Sequence, residues 1–226
     1  MIDELLPDSV VTVEAYGEED AAAAVLYPEE AAVVAQAVDK RRREFAAVRG
    51  CARRAMEKLG VEPQPLVPGD RGAPRWPEGL AGSMTHCDGY CAAALVRATD
   101  LASLGIDAEP NAPLPDGVLA AVSLPGEAQR VRRLSYERPD IRWDRLLFSA
   151  KESVYKAWFP LTGEWLEFTE ADIDLFAGPR GRPGGGFSAT LLVPGPLVGG
   201  RRVGVFEGRW TVERGLVATA VTVPHS

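Results

Sequence analysis

Leu104-Gly105-Ile106-Asp107-Ala108-Glu109-Pro110 ends a short apolar run with two acids one residue apart. Read as a strand, it sends Leu104, Ile106 and Ala108 to one face and Gly105, Asp107 and Glu109 to the other. The acids then lie about 6–7 Å apart along the strand, and Gly105 is expected to leave open space beside them. Such a face suits a hard cation, which takes oxygen ligands from one or two carboxylates and from substrate phosphates. From these seven residues alone, a solvated strand face is the simpler reading.

The segment from about Ile141 to Phe159, containing "WDRLLFSAKESVYKAWF" (143–159), shifts the balance. Phe148, Glu152, Tyr155 and Phe159 recur at helical spacing, so Glu152 sits within an apolar stripe. A carboxylate there is costly unless it is paired or bound to a metal, and Lys151 and Lys156 flank it. A capping box from Ser149 to Glu152 is one plainer account. Trp143, Leu146, Leu147 and Ala150 continue the pattern upstream, however, which makes Ser149 a mid-helix residue. A surface pair of Glu152 with Lys156 is another; it explains the spacing but not the apolar company.

Farther out, the chain alternates helical and strand-like stretches. One helix is expected from Pro28 to Gly60, with Glu29 and Glu30 at its positive end and an apolar stripe of Val34, Val38, Phe45, Val48, Ala52, Met56 and Leu59. A proline- and glycine-rich loop follows. Asp88-Gly89 between two apolar runs predicts a hairpin. "LASLGIDAEP" (101–110) is the next strand, helical pieces follow at 115–134, and three antiparallel strands close the chain, the last two joined at Arg214-Gly215. Helix then strands, twice over, predicts an α+β fold in two halves, 1–102 and 103–226.

The 226 residues suffice to bury a real core. A net charge of −7 argues against nucleic-acid binding driven by bulk electrostatics, including through "DKRRREF" (39–45). No stretch is apolar enough to span a bilayer, and the N-terminus lacks the positive start of a signal peptide. Three cysteines do not suggest a disulfide framework. The expected location is the cytoplasm. His86 with Cys87 and Cys91 lacks a fourth ligand for zinc.

"GIDAEP" (105–110) followed by "FSAKESVYKAW" (148–158) resembles the paired signature motifs of the Sfp-type 4′-phosphopantetheinyl transferases, G-I/V-D and K-E-x-x-x-K. Each motif alone is weak, and the two in this order are specific. "GSMTHCDGYCAAAL" (82–95), "KRRREFAAVRGCARRA" (40–55), "GDRGAP" (69–74) and "EGRWTVERGLVATAV" (207–221) resemble further segments of the family. The last is most similar to its actinobacterial members near the enterobactin-synthetase type.

The resemblance implies a pseudo-dimer of two α+β halves with the active site in the cleft between them. It also implies transfer of the phosphopantetheine arm of coenzyme A to a serine of apo acyl or peptidyl carrier proteins, releasing adenosine 3′,5′-bisphosphate. Asp107, Glu109 and Glu152 would hold Mg²⁺, or Mn²⁺ in its place. Glu152 would be the general base, and Lys151 and Lys156 would contact phosphates and stabilise the leaving group. Arg41, Arg49 and Arg71 are candidates for the coenzyme phosphates, with His86 on the 3′-phosphate and Thr85 nearby. A site held within one chain implies a monomer. Because the chain is itself acidic, carrier recognition would need a local basic or apolar patch such as "QRVRRL" (129–134). A metal-dependent pyrophosphohydrolase and an inactive coenzyme A-binding domain are the alternatives.

Overall fold

In a computed structural model, which describes residues 1–17, 24–179 and 183–225, the hairpin at Asp88-Gly89 is formed as expected. Gly89 adopts the left-handed φ of 71° that the turn needs, and β2 (Leu80–Cys87) pairs antiparallel with β3 (Tyr90–Arg97). A strand the sequence reading missed, β1 (Val11–Tyr16), lies on the far side of β3 to give the order β1-β3-β2. Its alternation was present in "VTVEAY": Val13 and Ala15 are buried.

One expected helix is two. α1 (Pro28–Val33) and α2 (Asp39–Lys58) are separated by an extended break at Val38. Glu30 accounts for the direction of α1. Instead of only facing the helix dipole, its fully buried carboxylate pairs with Arg53 at 2.8 Å and accepts the Tyr27 and Leu66 amides. The break leaves Val38 outside the apolar stripe and 73% exposed, whereas Val48, Ala52 and Met56 bury against β1 and β3.

β4 (Leu101–Pro110) begins the second part of the chain, followed by α3 (Val118–Val122), α4 (Pro125–Glu137) and α5 (Trp143–Thr162). Then come β5 (Ala171–Ala177), β6 (Gly184–Leu191), the small ribbon β7 (Leu197–Val198) and β8 (Arg201–Arg202), β9 (Val205–Glu213) and β10 (Leu216–Pro224). A five-stranded antiparallel sheet runs β4-β10-β9-β6-β5. β5 was also missed, although Ala171, Ile173 and Leu175 alternate inward. Arg214 and Gly215, both at positive φ, make the tight β9–β10 turn. Leu146, Leu147, Ala150 and Val154 of α5 pack with Phe187 and Trp210 of this sheet.

The space beside Gly105 is not open. A Cβ there would lie 2.0 Å from the Ser153 carbonyl oxygen and 2.7 Å from the Ala157 amide nitrogen. The glycine exists so that the backbone of α5 can settle on β4. Gly105→Ala is therefore expected to cost about 3 kcal/mol, because the helix must lift away. Chemical denaturation of purified variant and wild type would measure it.

The two sheets meet along β2 and β4, through side chains. The Ser83 hydroxyl accepts the Ile106 amide at 3.0 Å, and the Thr85 hydroxyl accepts the Ala108 amide at 3.1 Å. Two amides on the outer edge of β4 are thus satisfied by hydroxyls rather than by a backbone partner.

Candidate functional site

That seam fixes Asp107. On β4 its side chain is 7% exposed, held by Lys156 Nζ at 2.7 Å and by the Thr85 hydroxyl at 3.3 Å, both through Oδ1. Lys156 also donates to the Ile106 carbonyl at 3.1 Å, so α5 and β4 are tied together beside the acid. Asp107 Oδ2 is buried and has no hydrogen-bond partner among the described residues. An orphaned buried carboxylate oxygen is costly, and a ligand atom would relieve the cost.

Glu152 is the second unpaired carboxylate oxygen source: none of its oxygens has a hydrogen-bond partner among the described residues. Its pKa is raised, first by burial and further by the charges of Asp107 and Glu109, against the opposing pull of Lys156. Glu109 is raised by burial and by Asp107, with Arg145 pulling it down. Phe148, Tyr155 and Phe159, the stripe in which Glu152 was read, are half-buried; the core-facing residues of α5 lie on the adjoining face. Glu152, Tyr155 and Phe159 of the stripe form part of a cavity wall, while Phe148 packs on Phe168.

That cavity has a volume of about 550 Å³ and is lined from α2, β2, the loop around residues 68–76, and α5. At one end Arg41 Nη1 lies 2.8 Å from His86 Nε2. Burial and the neighbouring Arg41 lower the His86 pKa, so the ring is neutral near pH 7 and able to accept from the guanidinium. Glu152, Lys156 and Tyr155 line the same cavity. Arg71, at a left-handed φ of 53°, also lines it and stacks over the Trp165 ring at 5.3 Å.

The other residues singled out from sequence have different partners. Arg49 lines the cavity but is nearly buried: it donates to the Leu66 and Phe45 carbonyls and lies over the Phe45 ring. Thr85 faces Asp107 and β4. Lys151, 2% exposed, pairs with Glu127 at 2.9 Å and donates to the Phe168 and Ala171 carbonyls. Cys91 lies in β3 with its Sγ 3.7 Å from Cys51 Sγ, and burial pushes the Cys87 thiol up to about 12. Two contributors went unread: the Ser83 hydroxyl and Arg145, whose partners all lie more than 20 residues away.

Among the described residues no group of three or more His, Cys, Asp or Glu side chains is gathered tightly enough to hold a metal ion by itself. Mg²⁺ commonly binds through one or two carboxylates with substrate phosphates completing its shell. The orphaned Asp107 oxygen and the mutually repelling acids fit such a partial site. No helix among the described residues is long and apolar enough to cross a membrane.

Arg41, Arg71, Lys156 and Glu152 on the wall of one cavity form a lining of the kind that suits an enzyme acting on a phosphorylated substrate. Comparison with known proteins supplies the family. Residues 29–96 match the 4′-phosphopantetheinyl transferase N-terminal domain, and residues 103–190 match the 4′-phosphopantetheinyl transferase superfamily. The chain is 59% identical over 226 residues to 4′-phosphopantetheinyl transferase Svp of Streptomyces mobaraensis, covering 99% of this chain and 89% of the relative. It is 45% identical over 225 residues to 4′-phosphopantetheinyl transferase PptT of Mycobacterium tuberculosis, covering 99% and 98%. To 4′-phosphopantetheinyl transferase Npt of Nocardia iowensis it is 45% identical over 226 residues, covering 98% and 99%. The chain belongs to the 4′-phosphopantetheinyl transferase family. Its activity is the transfer of phosphopantetheine from coenzyme A to a carrier protein.

Proposed function

We propose that coenzyme A occupies the 550 Å³ cavity, with its 3′-phosphate at Arg41 and His86 and its pyrophosphate at Lys156 and the acids. Residues 1–102 and 103–226 then act as two lobes of a pseudo-dimer enclosing the substrate. The observation that carries this reading is the orphaned Oδ2 of Asp107 beside Lys156, an acid placed for a ligand the chain does not supply. Asp107, Glu152 and Glu109 are the residues that would hold Mg²⁺. When bound, the ion neutralises charge on the transferring phosphoryl group.

The remaining chemistry belongs to side chains. Glu152 takes the proton from the hydroxyl of the carrier serine; burial and the neighbouring acids raise its pKa, which makes it a stronger base than a free carboxylate. The serine oxygen attacks the phosphorus that bears pantetheine, and the bond to the adenosine-side phosphate breaks. Lys156 commits two of its three donors to Ile106 and Asp107. The third remains for the departing adenosine 3′,5′-bisphosphate. The neutral His86 holds Arg41 in place for the 3′-phosphate, to which a guanidinium can donate in a bidentate manner. Arg71 adds positive charge at the rim of the cavity.

Coenzyme A and 3′-dephospho-coenzyme A titrated into wild type and Arg41→Ala test the placement. Wild type should prefer coenzyme A, and Arg41→Ala should lose that preference by roughly 10–100-fold, the size of a hydrogen bond to a charged group. An unchanged preference would move the 3′-phosphate elsewhere.

A further inference from the structure

No local sequence pattern marks Arg145, because its partners lie 32 to 36 residues away. It stands in the first turn of α5 with its side chain 16% exposed, and all three nitrogens of the guanidinium have an acceptor. Nε donates to the Ala112 carbonyl at 3.1 Å, Nη2 to the Pro113 carbonyl at 2.8 Å and Nη1 to Glu109 Oε2 at 2.9 Å. A planar fork fixed at three points cannot swing with its carboxylate. Glu109 Oε1 has no hydrogen-bond partner among the described residues. The loop that Arg145 grips is stitched to the start of α5 at other points too: Asn111 accepts the Arg142 amide at 3.0 Å, and Asp144 accepts the Leu114 amide at 2.8 Å.

We propose that Arg145 is the positioning residue of the cation site. By holding Glu109 through Oε2 it leaves Oε1 for the ion, and it fixes this carboxylate of β4 to the helix that carries Glu152. Ligating carboxylates are usually themselves hydrogen-bonded, and losing such an outer partner weakens metal affinity. This rests on the cation reading of Asp107, Glu109 and Glu152. The competing possibility is that Arg145 neutralises Glu109 and withholds it from the ion, which predicts the opposite sign.

Mn²⁺ titrated into the full chain saturated with coenzyme A, against a coenzyme A blank and followed by water-proton relaxation, separates the two without recourse to turnover. Arg145→Ala and Arg145→Lys should both weaken Mn²⁺ binding roughly 10–100-fold; lysine keeps the charge but cannot span three acceptors. Glu109→Gln should weaken it too, and Glu109→Gln/Arg145→Ala should be no weaker than Glu109→Gln. Equal or tighter binding by Arg145→Ala overturns the proposal. So does a double variant weaker than Glu109→Gln, because Arg145 would then act through the 111–114 loop rather than the carboxylate. Wild type that binds no Mn²⁺ beyond the coenzyme A blank would instead remove the cation reading on which the proposal rests.

Discussion

Glu152→Gln should fold normally and lose roughly 100- to 10,000-fold in transfer rate, the usual contribution of a positioned general base. The glutamine keeps the size of the side chain and the half-buried place on α5, so packing against Tyr155 and Phe159 is little disturbed. What it removes is a carboxylate whose pKa is raised by burial and by the neighbouring acids, and with it one oxygen of the proposed cation site. The loss should fall on kcat more than on the apparent affinity for coenzyme A, since Arg41, His86 and Lys156 remain. Single-turnover kinetics with saturating coenzyme A would measure it. A rate within threefold of wild type would remove Glu152 from proton transfer.

Lys151→Ala has the largest expected effect on stability. Its ammonium faces Glu127, whose side chain is fully buried, and two backbone carbonyls. Glu127 in turn accepts the Leu124 and Ile173 amides, each at 2.7 Å. The pair therefore fastens α4 and β5 to α5, beneath the wall of a small cavity next to Glu152. Removing the lysine strands a buried carboxylate and should cost about 3–5 kcal/mol, read by urea denaturation. Lys151→Met with Glu127→Gln should recover part of the loss, because no charge is then left uncompensated, although the single glutamine oxygen keeps an acceptor for only one of the two amides. A Lys151→Ala variant as stable as wild type would show that Glu127 finds water instead.

What was legible in the sequence follows from the range of the interactions involved. β4 and the hairpin were readable because alternation and an Asp-Gly turn are local signals. α5 was readable because its period persists over 20 residues. That Glu152 belongs beside Asp107 came from the resemblance, not from spacing. The break between α1 and α2 was hidden because its partner, Arg53, lies 23 residues from Glu30. Gly105 was misread as making room for a ligand, since nothing in its own neighbourhood shows that a helix 50 residues on will press against it. Thr85, read as lying near the coenzyme A 3′-phosphate, holds Asp107 and β4, contacts that lie more than 20 residues away in sequence. Lys151 and Lys156, five residues apart on one helix, were given one role, yet a rotation of the helix sends one into the structural pair and the other to the cavity. β1 and β5 carried usable alternation and were simply passed over.

The most direct measurement is the mass of an apo carrier protein after incubation with this chain, coenzyme A and Mg²⁺, with Asp107→Ala run alongside. The site described here predicts a carrier heavier by one phosphopantetheine and no gain with Asp107→Ala. An unmodified carrier across a panel of acyl and peptidyl carriers, with coenzyme A still bound or cleaved to free phosphopantetheine, would contradict it.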